Sequence, residues 1–147
     1  MKSVLKHGGL AAAVICFTMT AQAQIGIFTQ SQDIGDVGAA GSAKLENDEY
    51  IVEGSGADIW GTADGLHFLY KEMTGAFTIK GQVYAEVGGG DATWTKAGLM
   101  VRDSLDPGSA FGFAMIRSSG QDFAPQWRDT AGAEAAWGED ASLVGGI

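Results

Sequence analysis

The residues best suited to chemistry lie between positions 58 and 67. Asp58, Trp60, Asp64 and His67 fall within ten positions, joined by Gly61 and Gly65, and Trp94 follows a glycine-rich stretch. An indole offers an apolar plate, and carboxylates beside it accept hydrogen bonds from hydroxyl groups, the pairing that a sugar ring requires. Asp58, Trp60, Asp64, His67 and Trp94 are therefore the candidate ligand-binding residues, and a polysaccharide or other glycan is the candidate ligand. Trp127 offers a third indole, and a tryptophan of a small core serves packing equally well. Asp58 or Asp64 capping a turn is the structural alternative for that block. Asp33 and Asp36, in DIGDVG (33–38), are weak candidates for a structural calcium, set against a solvated turn. No other cofactor is expected.

Catalytic patterns are missing from the sequence. A retaining glycosidase needs two carboxyl groups about 5.5 Å apart. The densest acidic run, Glu46-Asn47-Asp48-Glu49, has the wrong spacing for one strand to present such a pair and reads as a loop. HExxH, Gly-x-Ser-x-Gly and phosphate-loop signatures do not occur. The chain is read as a non-enzyme, although no single missing motif excludes glycoside hydrolysis. Arg102-Asp103 and Arg128-Asp129 each end an apolar run; an arginine there either grips a sugar acid or pairs with a carboxylate and holds a loop.

Composition bounds the partners. The chain has 147 residues and a net charge of −9. Lys2 and Lys6, an apolar stretch and Ala21-Gln22-Ala23 make residues 1–23 read as a cleaved signal peptide, too short in its apolar part to span a bilayer. The seven basic and eighteen acidic residues after Ala23 leave −11. Such a field disfavours nucleic acid and anionic membrane surfaces. The single cysteine, Cys16, lies in the leader, so the remainder has no disulfide. The expectation is a secreted or periplasmic bacterial protein, not inserted in a membrane once the leader is removed. Residues 24–147 then form one domain.

The elements that must position these residues are strands. Alternation dominates residues 74–87, where Phe77, Ile79, Gly81, Val83, Ala85 and Val87 share one parity, and this stretch reads as the central strand. Similar runs cover 49–54, 65–71, 94–102, 110–117 and 123–128, with residues 24–44 mostly irregular. Pro125 argues for an edge or a bulge. Short strands punctuated by turns every 8–12 or so residues point to an all-β antiparallel sandwich.

The succession GSGADIWGTADGLHFLY (54–70), TGAFTIKGQV (74–83), WTKAGLMVRDSLDPGS (94–109) and FAPQWRDTAG (123–132) resembles a bacterial family of concanavalin A-like β-sandwich domains. This is the regulation-of-enolase type, of unknown function, also found as an accessory domain of secreted glycoside hydrolases. The resemblance implies a jelly-roll sandwich in an extracellular setting and carries no agreed catalytic set. Domains of this family continue with further strands, so it also implies a domain incomplete at its C-terminal end, with an unpaired edge strand open to association. Two functions follow: a non-catalytic recognition or accessory domain for carbohydrate, or a purely structural or adhesion module of a larger surface protein.

Overall fold

A computed structural model describes residues 24–85, 94–117 and 123–138. The chain is an all-β, antiparallel β-sandwich. Its strands are β1 (Gln30–Ile34), β2 (Ser42–Glu46), β3 (Glu49–Glu53), β4 (Ile59–Trp60), β5 (Ala63–Asp64), β6 (Leu66–Tyr70), β7 (Lys96–Arg102), β8 (Phe111–Arg117), β9 (Phe123–Arg128) and β10 (Ala136–Trp137). One layer is a four-stranded sheet in the order β10-β9-β8-β7. The other is built from the β1–β6 pair, with the β2–β3 hairpin beside it. The short β4–β5 hairpin lies between β3 and β6 in sequence and contributes Ile59 to the core.

Alternation decides what each strand buries. In β8, Phe111, Phe113 and Met115 are buried while Gly112 and Ala114 are exposed. Directly opposed residues of an antiparallel ladder share a face, so Phe113 aligns with Met100 on one side and Gln126 on the other. This face packs with Ile34, Ile59, Leu66, Ala124 and Ala135 into one hydrophobic cluster, with Phe68, Met100 and Leu105 at its margin. Burying each large side chain contributes about 1.5–3 kcal/mol. Gly98 is required where β7 meets β8: a side chain there would come within 2.1 Å of the Ala114 carbonyl oxygen. The opposite face of the sheet carries Ala97, Leu99, Val101, Ala114, Ile116, Phe123, Pro125 and Trp127, with no charged residue among them.

Three sequence expectations change. Residues 74–85 join no strand, and Phe77 and Ile79 are exposed. The alternation in that stretch is real, but it specifies only which parity is apolar; a strand also needs a hydrogen-bonding neighbour. Gly81, on the apolar parity, lies against the Leu99 side chain, so the segment passes over the uncharged face of the sheet. Glu86 and Val87, and the leader at 1–23, lie outside the described residues. Residues 24–44 lie mostly outside strands, as read, but they also hold β1 and the start of β2, and Ile34 is among the most deeply buried side chains. Residues 54–64, outside the strand runs read from the sequence, contain the β4–β5 hairpin.

Other expectations stand. Strands at 49–54, 65–71, 94–102, 110–117 and 123–128 are present within a residue or two. The acidic run at 46–49 is the two-residue turn of the β2–β3 hairpin, with Asn47 and Asp48 at positive φ (52° and 65°). Pro125 is the exception: β9 lies between β8 and β10 and runs past Pro125 without a bulge, the missing N–H being tolerated because β10 pairs only with Gln126 and Trp127. β7 is an edge of its sheet, bonded among described strands to β8 alone. No helix among the described residues is long and apolar enough to cross a membrane.

Candidate functional site

The β4–β5 hairpin sorts the candidate residues by parity. Ile59 pairs with Asp64 and Trp60 with Ala63. Ile59 and Asp64 therefore turn inward together, and Trp60 turns outward. Asp64 and Trp60 are close in sequence yet belong to different environments.

Asp64 lies at the centre of a buried ion cluster. Its carboxylate accepts from Arg128 Nη2 on Oδ1 at 2.7 Å, and on Oδ2 from Arg128 Nη1 at 2.9 Å and Arg102 Nη1 at 2.7 Å. The three side chains are at most 1% exposed. Spare guanidinium donors go to backbone carbonyls: Arg102 to Asp106, and Arg128 to Gly61, Ser109 and Ala133. Both arginines also lie over the Phe111 ring. Each thus pairs with a carboxylate and holds loops, as one sequence reading had it. The carboxylate is Asp64, while Asp103 and Asp129 are exposed. Asp64 is withdrawn from the ligand-binding set, because both its oxygens are spent on guanidinium groups inside the protein.

His67 is also internal. Its Nδ1 lies 2.7 Å from Asp33 Oδ1, and Gly41 and Gly54 press against it so closely that a side chain at either position would strike the imidazole or its Cβ. Gly41 N–H donates to both Asp33 oxygens, at 3.0 and 3.2 Å. The calcium candidates thus have partners of their own: Asp33 joins β1 to β6 through His67, and Asp36 accepts from Gly38 N–H at 3.2 Å. The described residues contain no group of three or more His, Cys, Asp or Glu placed to share a metal ion.

The hydrogen bond from His67, with a smaller contribution from Gly41 N–H, outweighs partial burial and holds the Asp33 carboxyl below its ordinary pKa. A lowered folded-state value means that the Asp33 contribution is fully present above the unfolded carboxylate pKa of about 3.9 and is lost as pH falls through the folded value. Asp33→Asn is expected to flatten that acid limb. Urea midpoints taken from neutral pH down to about pH 2 check it; parallel wild-type and variant curves would refute the coupling.

The remaining candidates converge. Asp58, Trp60 and Trp94 line one open cleft of about 320 Å³ together with Lys96, Met115, Gln126 and Trp137. Trp60, Trp94 and Trp137 are 41%, 53% and 38% exposed. The Lys96 ammonium lies 5.4 Å from the centre of the Trp60 ring and donates to Asp58 Oδ1 at 2.7 Å and to the Ile59 carbonyl at 3.0 Å. The Arg117 guanidinium lies 5.1 Å from the Trp94 ring and 5.6 Å from the Trp137 ring. Cation–π contacts of this kind contribute roughly 0.5–2 kcal/mol each, and here they steady three plates around one opening. Gln126 forms part of the lining through its register opposite Trp137.

Lys96, Gln126 and Trp137 were not singled out from the sequence. Lys96 and Gln126 had a signal in their strand parity, since each stands in register with other inward residues. Trp137 had none, because a two-residue strand has no alternation to read. Trp127 falls on the opposite face of β9 from Gln126 and is not part of the cleft.

Comparison of the chain with protein-family models, with curated proteins and with solved structures returns no match.

Proposed function

We propose that the chain is a secreted, non-catalytic recognition domain that holds a polysaccharide in the tryptophan-lined cleft, on a concanavalin A-like jelly-roll framework. One observation carries the reading: three well-exposed tryptophans surround a single opening beside a carboxylate. A module built only for packing would bury its indoles, because each exposed indole forfeits favourable transfer from water. An open groove lined by aromatic plates suits a polymer that lies along a surface, where ring faces stack and hydroxyls reach polar side chains.

Retention on insoluble polysaccharides is the direct test. The protein is expected to be depleted from solution by at least one of cellulose, xylan, chitin or an insoluble β-glucan, with quenching or a blue shift of tryptophan emission on binding to a soluble fragment. No retention on any polysaccharide at millimolar binding-site concentration would leave the structural module as the better reading. That second reading draws on the uncharged face of the four-stranded sheet, where Val101 and Phe123 are exposed; a neighbouring domain of a larger surface protein would cover it.

A further inference from the structure

We propose that the cleft selects neutral, hydroxyl-rich glycans over uronate and glucosamine polymers, with Gln126 as the residue that accepts a ligand hydroxyl. This rests on the glycan-binding reading above.

Gln126 lines the cleft and is 1% exposed. Its Nε2 donates to the Ile59 carbonyl. That carbonyl can only accept, which fixes the amide with its nitrogen toward Ile59. Gln126 Oε1 is buried with no hydrogen-bond partner. A buried acceptor left without a donor is costly, and a native structure keeps one where something else satisfies it. Asp58 adds a second acceptor. Its Oδ1 takes both Ile59 N–H and Lys96 Nζ at 2.7 Å, and the side chain is 39% exposed, so the carboxylate has acceptor capacity left for a ligand.

The positive charges of the cleft are committed to its walls. The Lys96 side chain is only 6% exposed and is held by Asp58, the Ile59 carbonyl and the Trp60 ring. The Arg117 guanidinium rests against Trp94 and Trp137. The floor therefore asks the ligand for donors. A hydroxyl supplies one without bringing charge. A uronate carboxylate brings acceptors toward Asp58 in a chain of net charge −9. A glucosamine ammonium meets ring faces already occupied by Lys96 and Arg117. A neutral pyranose presents both an apolar ring face and hydroxyl donors.

Calorimetry of the full chain with glucan, galacturonan and glucosamine oligosaccharides of equal length tests this. The glucan is expected to bind at least about tenfold more tightly than either charged oligomer, and Gln126→Met is expected to weaken glucan binding about tenfold. A charged oligomer that binds as tightly as the glucan overturns the inference and leaves the glycan-binding reading standing. Failure of all three at millimolar concentration overturns both. Unchanged glucan affinity in a folded Gln126→Met protein removes Gln126 from the role. Should that variant fail to fold, monodeoxy glucan oligomers on the wild type decide instead: at least one position is expected to lose about tenfold, the effect of one hydrogen bond. Equal binding by every deoxy analogue overturns the assignment.

Discussion

Asp64→Asn is expected to unfold the domain, or nearly so, without any ligand present. The asparagine would fill the same space but remove the negative charge that bridges two buried guanidinium groups. Breaking a buried pair by removing one partner costs about 3–5 kcal/mol, and here two cations lose their counter-ion at once. Domains of this size are stable by only about 5–15 kcal/mol. Asp103→Asn and Asp129→Asn are the matched controls, each beside one of the same arginines in sequence but exposed; changes at such sites stay within about 0.5 kcal/mol. Urea or thermal denaturation of the three variants separates the cases. An Asp64→Asn protein melting within a few degrees of wild type would show that the carbonyls of Gly61, Ser109, Asp106 and Ala133 alone neutralise the arginines.

The second large effect concerns the indoles. Trp94→Ala and Trp137→Ala are each expected to weaken polysaccharide binding about thirtyfold, the scale of a central aromatic contact worth about 2 kcal/mol. Both side chains are well exposed, so the folded state should survive. Trp127→Ala is the internal control: it removes an indole of the same sheet from the face opposite the cleft and should leave affinity unchanged. Affinity electrophoresis in soluble polysaccharide reads all three, and equal retardation of wild type, Trp94→Ala and Trp137→Ala would remove the cleft from recognition. Trp60→Ala is less informative, because Trp60 also covers the buried Lys96.

The all-β class and half of the described strands were legible, because long strands write their parity into the chain. The seven residues of β7 and the seven of β8 alternate for long enough to declare a face. Residues 74–85 show the limit of that signal. Their alternation is longer than that of any strand present, yet pairing depends on which backbone lies alongside, and no local pattern carries that information. The site was half legible for the same reason. Asp58, Trp60 and Trp94 have side chains whose chemistry names them as binding candidates, and the structure gathers all three. Asp64 was misassigned because a two-residue hairpin reverses the inside and outside of neighbours four positions apart, and two strands of two residues leave no periodicity to show it. The partners of Asp64, Arg102 and Arg128, stand 38 and 64 residues away. Only tertiary structure brings them together.

The β4–β5 hairpin carries Trp60 on one side and Asp64 on the other. Opening the cleft wall by any amount that moves this hairpin therefore drags a carboxylate away from two guanidinium groups. Recognition and global unfolding share one mechanical unit. In hydrogen-exchange terms, the Asp64 amide, bonded to the Pro107 carbonyl at 2.9 Å, should exchange only through complete opening of the domain, on the same free-energy scale as denaturation. Trp60, the one plate carried by this hairpin, is then held as firmly as the core itself.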